Sequence, residues 1–270
     1  LIQVEGDSSD PGDMESGGGQ GGIIDLSGKI LGSNGTLIIL TTGHPYTVSS
    51  ETTVLLDVTD GNLEDPSNNF FLINTNGNSV IDDNGTSRDA PHSNHDLDED
   101  NDGIIDAKFT DAWTFMDGIS ILKNSSTMYA YAEVIFAKNT SGKTVYKSSP
   151  ATQVDTSNQQ FRYFARIGNS TGYKAGEVAD ADWVGGTVNS GDNPNLSSSD
   201  YWSFGSSSSG IRALPEAWEG YELNHLGAPN PTADALSIKS FDNPNDFILY
   251  PNPTNAMIHI SGKESVDVIS

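Results

Sequence analysis

Residues 129–137 read Tyr129-Ala130-Tyr131-Ala132-Glu133-Val134-Ile135-Phe136-Ala137. On an extended strand, Tyr129, Tyr131, Glu133 and Ile135 share one face, and Ala130, Ala132, Val134 and Phe136 the other. Working outward, Gly118-Ile119-Ser120-Ile121-Leu122 follows a turn, and Phe161, Tyr163, Ala165 and Ile167 share a face from which Arg162 and Arg166 point away. Toward the N-terminus, Thr36-Leu37-Ile38-Ile39-Leu40, Thr53-Val54-Leu55-Leu56 and Phe70-Phe71-Leu72-Ile73 are short, nearly continuous apolar runs, the pattern of strands buried on both faces. No segment sustains a 3.6-residue apolar period. The pattern is all-β, and a sandwich is the usual way to bury it. Residues 23 to 228 are expected to be mostly antiparallel, with Leu37, Ile39, Val134, Phe136, Phe161 and Tyr163 inside.

The 270 residues suffice for one large or two small cores. Net charge is −24, with 13 basic residues against 37 acidic ones, so nucleic acid is excluded as a partner of this acidic region. There is no cysteine, hence no disulfide, thiol nucleophile or Cys-ligated metal. No apolar run approaches the ~18 residues of a transmembrane helix. Asp7 to Gly22 is glycine-rich and reads as a flexible loop. Pro229, Pro231 and Pro244 mark 229–245 as a linker. No internal repeat is visible.

The strongest chemical motif is Asp98-Glu99-Asp100-Asn101-Asp102-Gly103-Ile104-Ile105-Asp106. Alternation projects Asp98, Asp100 and Asp102 toward one centre, and Gly103 permits the sharp turn that follows. The carbonyl of Ile104 can then point inward, and Asp106 reaches back. Two carboxylates about 4 Å apart repel by about 4 kcal/mol at an effective dielectric near ~20, so an ordered loop of this kind needs a cation. Hard oxygen ligands favour Ca²⁺ over Mg²⁺ or Zn²⁺. An EF-hand would carry a bidentate Glu where Phe109 stands, so the loop is more similar to a thrombospondin type 3 or related extracellular calcium repeat.

Phe247-Ile248-Leu249-Tyr250-Pro251-Asn252-Pro253-Thr254-Asn255 resembles the opening of the type IX secretion system C-terminal sorting domain of Bacteroidetes-type bacteria. Met257-Ile258-His259-Ile260 would be its second strand and Val266-Asp267-Val268-Ile269 its third. The sorting signal is then Tyr250, Pro251, Asn252 and Pro253, and residues 246–270 are a truncated sorting domain, the start of a second small β-sandwich. The chain reads as clipped at both ends. Gly32-Ser33-Asn34-Gly35-Thr36 before its apolar strand resembles lamin-tail-like domains. So do Leu226-Gly227-Ala228-Pro229-Asn230, Asp111-Ala112-Trp113, Asp117-Gly118, Arg166-Ile167-Gly168-Asn169 and Asp182-Trp183. For residues 1–228 this resemblance implies an immunoglobulin-like antiparallel β-sandwich with long loop insertions.

Other motifs carry less. Gly168-Asn169-Ser170-Thr171-Gly172, followed by Asp182 and His225, has the spelling and order of a hydrolase triad, but lacks the strand–turn–helix context. His92 and His95 beside Asp96 read as solvated loop residues. Glu216 and Glu219 around Trp218 read as surface. Trp113, Trp183, Trp202, Trp218 and Tyr201 could stack on sugars, but tryptophans of this kind read as core.

These readings together imply a secreted or cell-surface, non-catalytic, calcium-binding protein. Its partners would be the type IX secretion machinery and an extracellular or cell-surface polymer, and its role adhesion, matrix or spacing. The alternative is an accessory module of a larger secreted hydrolase, a nuclease or phosphatase, with its catalytic domain upstream. A serine hydrolase using Ser170 is the third reading.

Overall fold

The computed structural model describes residues 1–7, 10–14, 22–41, 48–57, 67–123, 125–156, 161, 163–176 and 181–186. It also describes the short pieces 188–189, 203–204, 227, 230, 248–250 and 259–261. The chain divides into two compact units, Leu1–Ala233 and Asp234–Ser270.

In the first unit the strands are β1 (Ile2–Glu5), β2 (Leu37–Thr41), β3 (Thr53–Asp57), β4 (Asn68–Asn74), β5 (Val80–Ile81) and β6 (Ser87–Arg88). A four-residue helix, α1 (Ala107–Thr110), comes next. Then follow β7 (Thr114–Lys123), β8 (Thr127–Ala130), β9 (Val134–Lys138), β10 (Thr144–Lys147), β11 (Thr152–Thr156), β12 (Tyr163–Arg166), β13 (Trp183–Gly186), β14 (Val188–Asn189) and β15 (Ser203–Phe204). The all-β class therefore holds.

The architecture is not the expected antiparallel sandwich. The main sheet has the order β1-β4-β7-β9-β11. β1, β4 and β7 are antiparallel neighbours, but β7-β9 and β9-β11 are parallel. Between its visits to this sheet the chain lays down β8 and β10, which pair in parallel with each other. The result is a short β-solenoid. Successive rungs are 15 and 18 residues apart in the main sheet (Ser120 to Ile135 to Gln153), and 17 in the second (Thr127 to Thr144). Parallel strands need a crossover, and here a strand of the second sheet supplies it instead of a helix.

The 129–137 stretch is accordingly not one strand. β8 ends at Ala130, β9 begins at Val134, and Tyr131-Ala132-Glu133 form the corner. Buried polar side chains from neighbouring strands take up the corner amides. Tyr131 N donates to Asn69 Oδ1 at 3.0 Å, and Ala132 N to Ser120 Oγ at 3.1 Å. Ser120 Oγ also donates to Asn69 Oδ1 at 2.5 Å, while Asn69 Nδ2 reaches Tyr129 O at 3.2 Å. These bonds allow the backbone to bend inside the protein without orphaned donors.

The main sheet is covered on both faces. Leu122, Ile135 and Ala137 pack on Met128 and Ala130, forming the solenoid interior. On the opposite face Ile119, Val134, Phe136 and Val154 pack on Phe161, Phe164 and Trp183. Those aromatics belong to the antiparallel pair β12-β13 and its approach. A third cluster joins Ile2, Val4, Met14, Phe71, Leu97, Phe109, Trp113 and Tyr131. Of the residues expected inside, Val134, Phe136 and Phe161 are buried, whereas Leu37, Ile39 and Tyr163 are half-buried. β2 and β3 form a separate parallel pair, and Val54 and Leu56 on β3 are exposed. These two runs are therefore not buried on both faces.

Part of the expected flexible 7–22 loop is ordered: Met14 is buried and bridges to Val4. Several segments far apart in sequence meet in pairs. Asn34 Nδ2 donates to Thr52 Oγ1 and to Gly227 O, both at 2.8 Å. A Cβ on Gly227 (φ +86°) would stand 2.4 Å from Thr52 Oγ1, so both the backbone conformation and the close approach call for glycine. Arg166 donates to Asp117 Oδ1 at 2.5 Å and lies 4.6 Å over the Trp183 ring. Asn230 Nδ2 donates to Arg166 O at 2.8 Å. In the second unit β16 (Ile248–Tyr250) and β17 (His259–Ser261) form an antiparallel pair on either side of the Tyr250-Pro251-Asn252-Pro253 phrase. Pro251, Asn252, Pro253 and the expected third strand lie outside the described residues.

Candidate metal centre

Six carboxylates fall between Asp96 and Asp106. The loop that carries them is stitched by its backbone to the 12–14 segment and closed on itself. Leu97 N donates to Gly12 O at 2.8 Å, Met14 N to His95 O at 3.0 Å, and Asp106 N to Leu97 O at 2.8 Å. Leu97 is fully buried and anchors the loop in the third core cluster. Asn101 (φ 55°) and Gly103 (φ 86°) take left-handed conformations that fold the loop back on itself. A Cβ on Gly103 would also meet Tyr146 Cβ at 2.6 Å.

Asp98 is the hub and is fully buried. Its Oδ1 accepts from Asp102 N at 2.9 Å. Its Oδ2 accepts from Gly103 N at 2.8 Å and from the Tyr131 hydroxyl at 2.9 Å. Three hydrogen bonds leave one of roughly four lone-pair positions open on this carboxylate. Carboxylate oxygens of Asp98, Asp100 and Asp102 lie within 4.8 Å of one another, the latter two exposed. Asp102 Oδ1 accepts from Ile104 N at 2.8 Å.

The other expected ligands sit differently. Asp106 is outside this three-residue set: its Oδ2 accepts from Glu99 N at 3.1 Å, and it precedes α1 as the N-cap residue. Ile104 has an exposed side chain, and no donor among the described residues reaches its carbonyl. Lys108 pairs with Glu99 and lies 4.0 Å from Asp83.

Electrostatics follow burial and crowding. Burial pushes the Asp98 carboxyl up, and the hydrogen bonds from Gly103, Tyr131 and Asp102 oppose it. Asp96 is pushed up to about 6 by burial, reinforced by the charges of Asp83, Asp98 and Glu99. Asp13, bridged to Asp96 across the loop contact, is also pushed up to about 6, by burial first and then by Asp96, Asp10, Asp83 and Glu5. Burial also raises the Tyr131 hydroxyl, with the Asp98 charge adding to it, so the phenol remains a donor.

Motifs given less weight now have places. His95 is not solvated: it is fully buried, edge-on to Phe109 and Trp113 at 5.5 and 5.4 Å between ring centroids. Burial holds its pKa below the ordinary value. Its Nδ1 accepts from His92 N at 3.1 Å, and His92 Nδ1 accepts from Asn94 N at 3.1 Å, so the Nδ1 atoms of the two histidines serve the turn. Ser170 Oγ donates directly to Asp182 Oδ1, while Lys174 N donates to Asp182 Oδ2 at 2.9 Å. A triad interposes its histidine between those two roles, whereas here serine and carboxylate close a turn. His225, Glu216, Glu219, Trp202 and Trp218 lie outside the described residues.

Sequence reasoning missed Tyr131, the donor that ties the acidic loop to the solenoid corner. It also missed Asn69 and Ser120, which form that corner. Only an unbroken strand reading concealed Tyr131; nothing local marks Asn69 or Ser120. No family model, curated protein or solved structure matches the chain.

Proposed function

We propose that this chain is a non-catalytic, calcium-binding β-module of a secreted or cell-surface protein, exported by the type IX route and serving adhesion, matrix or spacing. The observation that carries the calcium reading is the convergence of Asp98, Asp100 and Asp102 within 4.8 Å, on a loop with a buried hub. Three convergent carboxylates form a hard oxygen set, which suits Ca²⁺. By loop position the Ile104 carbonyl is the candidate for a fourth oxygen, and Asp106, whose Oδ2 accepts from Glu99 N, would have to give up that bond to join. The export reading rests on the Tyr250-Pro251-Asn252-Pro253 phrase, flanked by an antiparallel strand pair.

Calorimetry with Ca²⁺ and with chelator tests the metal. Binding to the folded state alone raises stability by about 2.7 kcal/mol at a hundredfold excess over Kd. Asp100→Ala should abolish most of that difference, and identical melting curves in all four samples would reduce the loop to a solvated acidic turn. Export is tested by following secretion of the protein in a strain lacking the type IX machinery, where release should stop.

A further inference from the structure

Three Asn-Gly dipeptides occur in the chain, each in a turn: Asn34-Gly35, Asn76-Gly77 and Asn84-Gly85. The turns differ in register. Gly35 N donates to Gly32 O and Gly85 N to Asp82 O, both at 2.8 Å, so in these two the glycine amide closes the turn. At 75–78 the closing donor comes one residue later, Asn78 N to Thr75 O at 2.9 Å. Asn76 (φ 56°) and Gly77 (φ 72°) then occupy the two central positions, both left-handed and both exposed. The Gly77 amide has no acceptor among the described residues.

We propose that Asn76-Gly77 is the first of the chain's three Asn-Gly pairs to deamidate spontaneously. The Gly77 amide nitrogen gives its proton to hydroxide and attacks Asn76 Cγ. The new N–C bond closes a five-membered succinimide, and the Cγ–Nδ2 bond breaks, releasing ammonia. One water then opens the ring at either carbonyl, to aspartate or to isoaspartate. No oxidant or enzyme is needed. Gly35 and Gly85 must first give up a hydrogen bond before their nitrogens can react, and Gly77 need not. Asn76 Nδ2 also donates, but through exposed bonds that water can replace; Asn34 is held further by part-buried bonds, Nδ2 donating to Thr52 and Gly227 and Oδ1 accepting from Thr36 N at 3.1 Å.

The change has a structural target. Asn76 Nδ2 donates to Thr114 Oγ1 at 3.1 Å and Ala112 O at 3.4 Å, and Asn78 Nδ2 donates to the same carbonyl at 2.9 Å. Ala112 lies between α1, which follows the acidic loop, and Trp113, which immediately precedes β7. Deamidation replaces a donor to the Ala112 carbonyl with a carboxylate, and isoaspartate also lengthens the turn backbone. Both loosen the segment joining the acidic loop to the sheet.

Peptide mapping with mass spectrometry, after incubation of the folded chain in mildly alkaline buffer, tests this. Asn76 should deamidate about five- to tenfold faster than Asn84, the rate equivalent of one net hydrogen bond, and Asn34 should be slowest. In denaturant the three sites should react at comparable rates. Asn34 or Asn84 leading in the folded chain, or an Asn76 advantage that persists unchanged in denaturant, would overturn the proposal.

Discussion

The solenoid strands and the acidic loop that leans on them solve opposite problems. From β7 to β11 the chain closes by removing apolar surface from water, and Leu122, Met128, Ala130, Val134, Ile135, Phe136 and Ala137 are all nearly inaccessible. Residues 96–106 instead bring like charges together around a buried carboxylate, and polar donors hold them there. The first arrangement is complete without a ligand. The second carries a repulsion that hydrogen bonds only partly offset. Stability in the solenoid should therefore ignore cations and pH, while the loop should respond to both.

The largest expected effect breaks the solenoid side. Phe136 is 1 % exposed, with Phe161 and Phe164 at 4.9 and 5.2 Å between ring centroids. Phe136→Ala removes that packing and leaves a cavity, costing about 4 kcal/mol in denaturant unfolding. The loss should be the same in Ca²⁺ and in chelator. A loss that depends on calcium would show that the two regions are not separable.

The next effect lies on the link between them. Tyr131→Phe deletes the hydroxyl that donates to Asp98 Oδ2 at 2.9 Å and leaves the ring in place. A hydrogen bond to a buried charged group is worth about 2 kcal/mol net, so the variant should unfold at lower denaturant and bind calcium more weakly. Unchanged stability would mean that water replaces the phenol at Asp98.

How much of this was legible in the sequence differs by region for physical reasons. The acidic cluster was legible because its members are local: three carboxylates at alternate positions lie within 4.8 Å of one another. Asp106 was placed by the same spacing, yet the fold uses its carboxylate on the Glu99 amide. The β-class was legible from apolar patterning, but the strand order was not. Rungs separated by 15, 17 and 18 residues have no common period, and so leave no visible repeat. The corner at Tyr131-Ala132-Glu133 keeps the alternation of a strand because Asn69 and Ser120, 62 and 12 residues distant, satisfy its amides. His95 looked like a loop histidine because Phe109 and Trp113, which enclose it, come later in the chain.

The smallest effect sharpens the electrostatic side. Asp13 has its carboxyl raised to about 6, by burial first and then by the charges of Asp96, Asp10, Asp83 and Glu5. In the unfolded chain it titrates near about 3.9. The folded state therefore holds this proton more tightly than the unfolded state does. The resulting contribution is fully present below the unfolded value and is lost as pH rises through about 6. Asp13→Asn imitates the protonated form and keeps the backbone bond in which Glu5 N donates to Asp13 O at 2.8 Å. In chelator at neutral pH the variant should be more stable by about 1 kcal/mol, the full shift being discounted for partial solvent screening. At pH values below about 4 the two proteins should converge. His95 pulls the whole profile the other way: burial lowers its pKa, so the stability of its neutral form is lost as pH falls below about 6.5. Because His95 is present in both proteins, the difference between their melting curves isolates Asp13. A difference that grows in acid, or that is absent at neutral pH, would show that the Asp13–Asp96 contact carries no net repulsion.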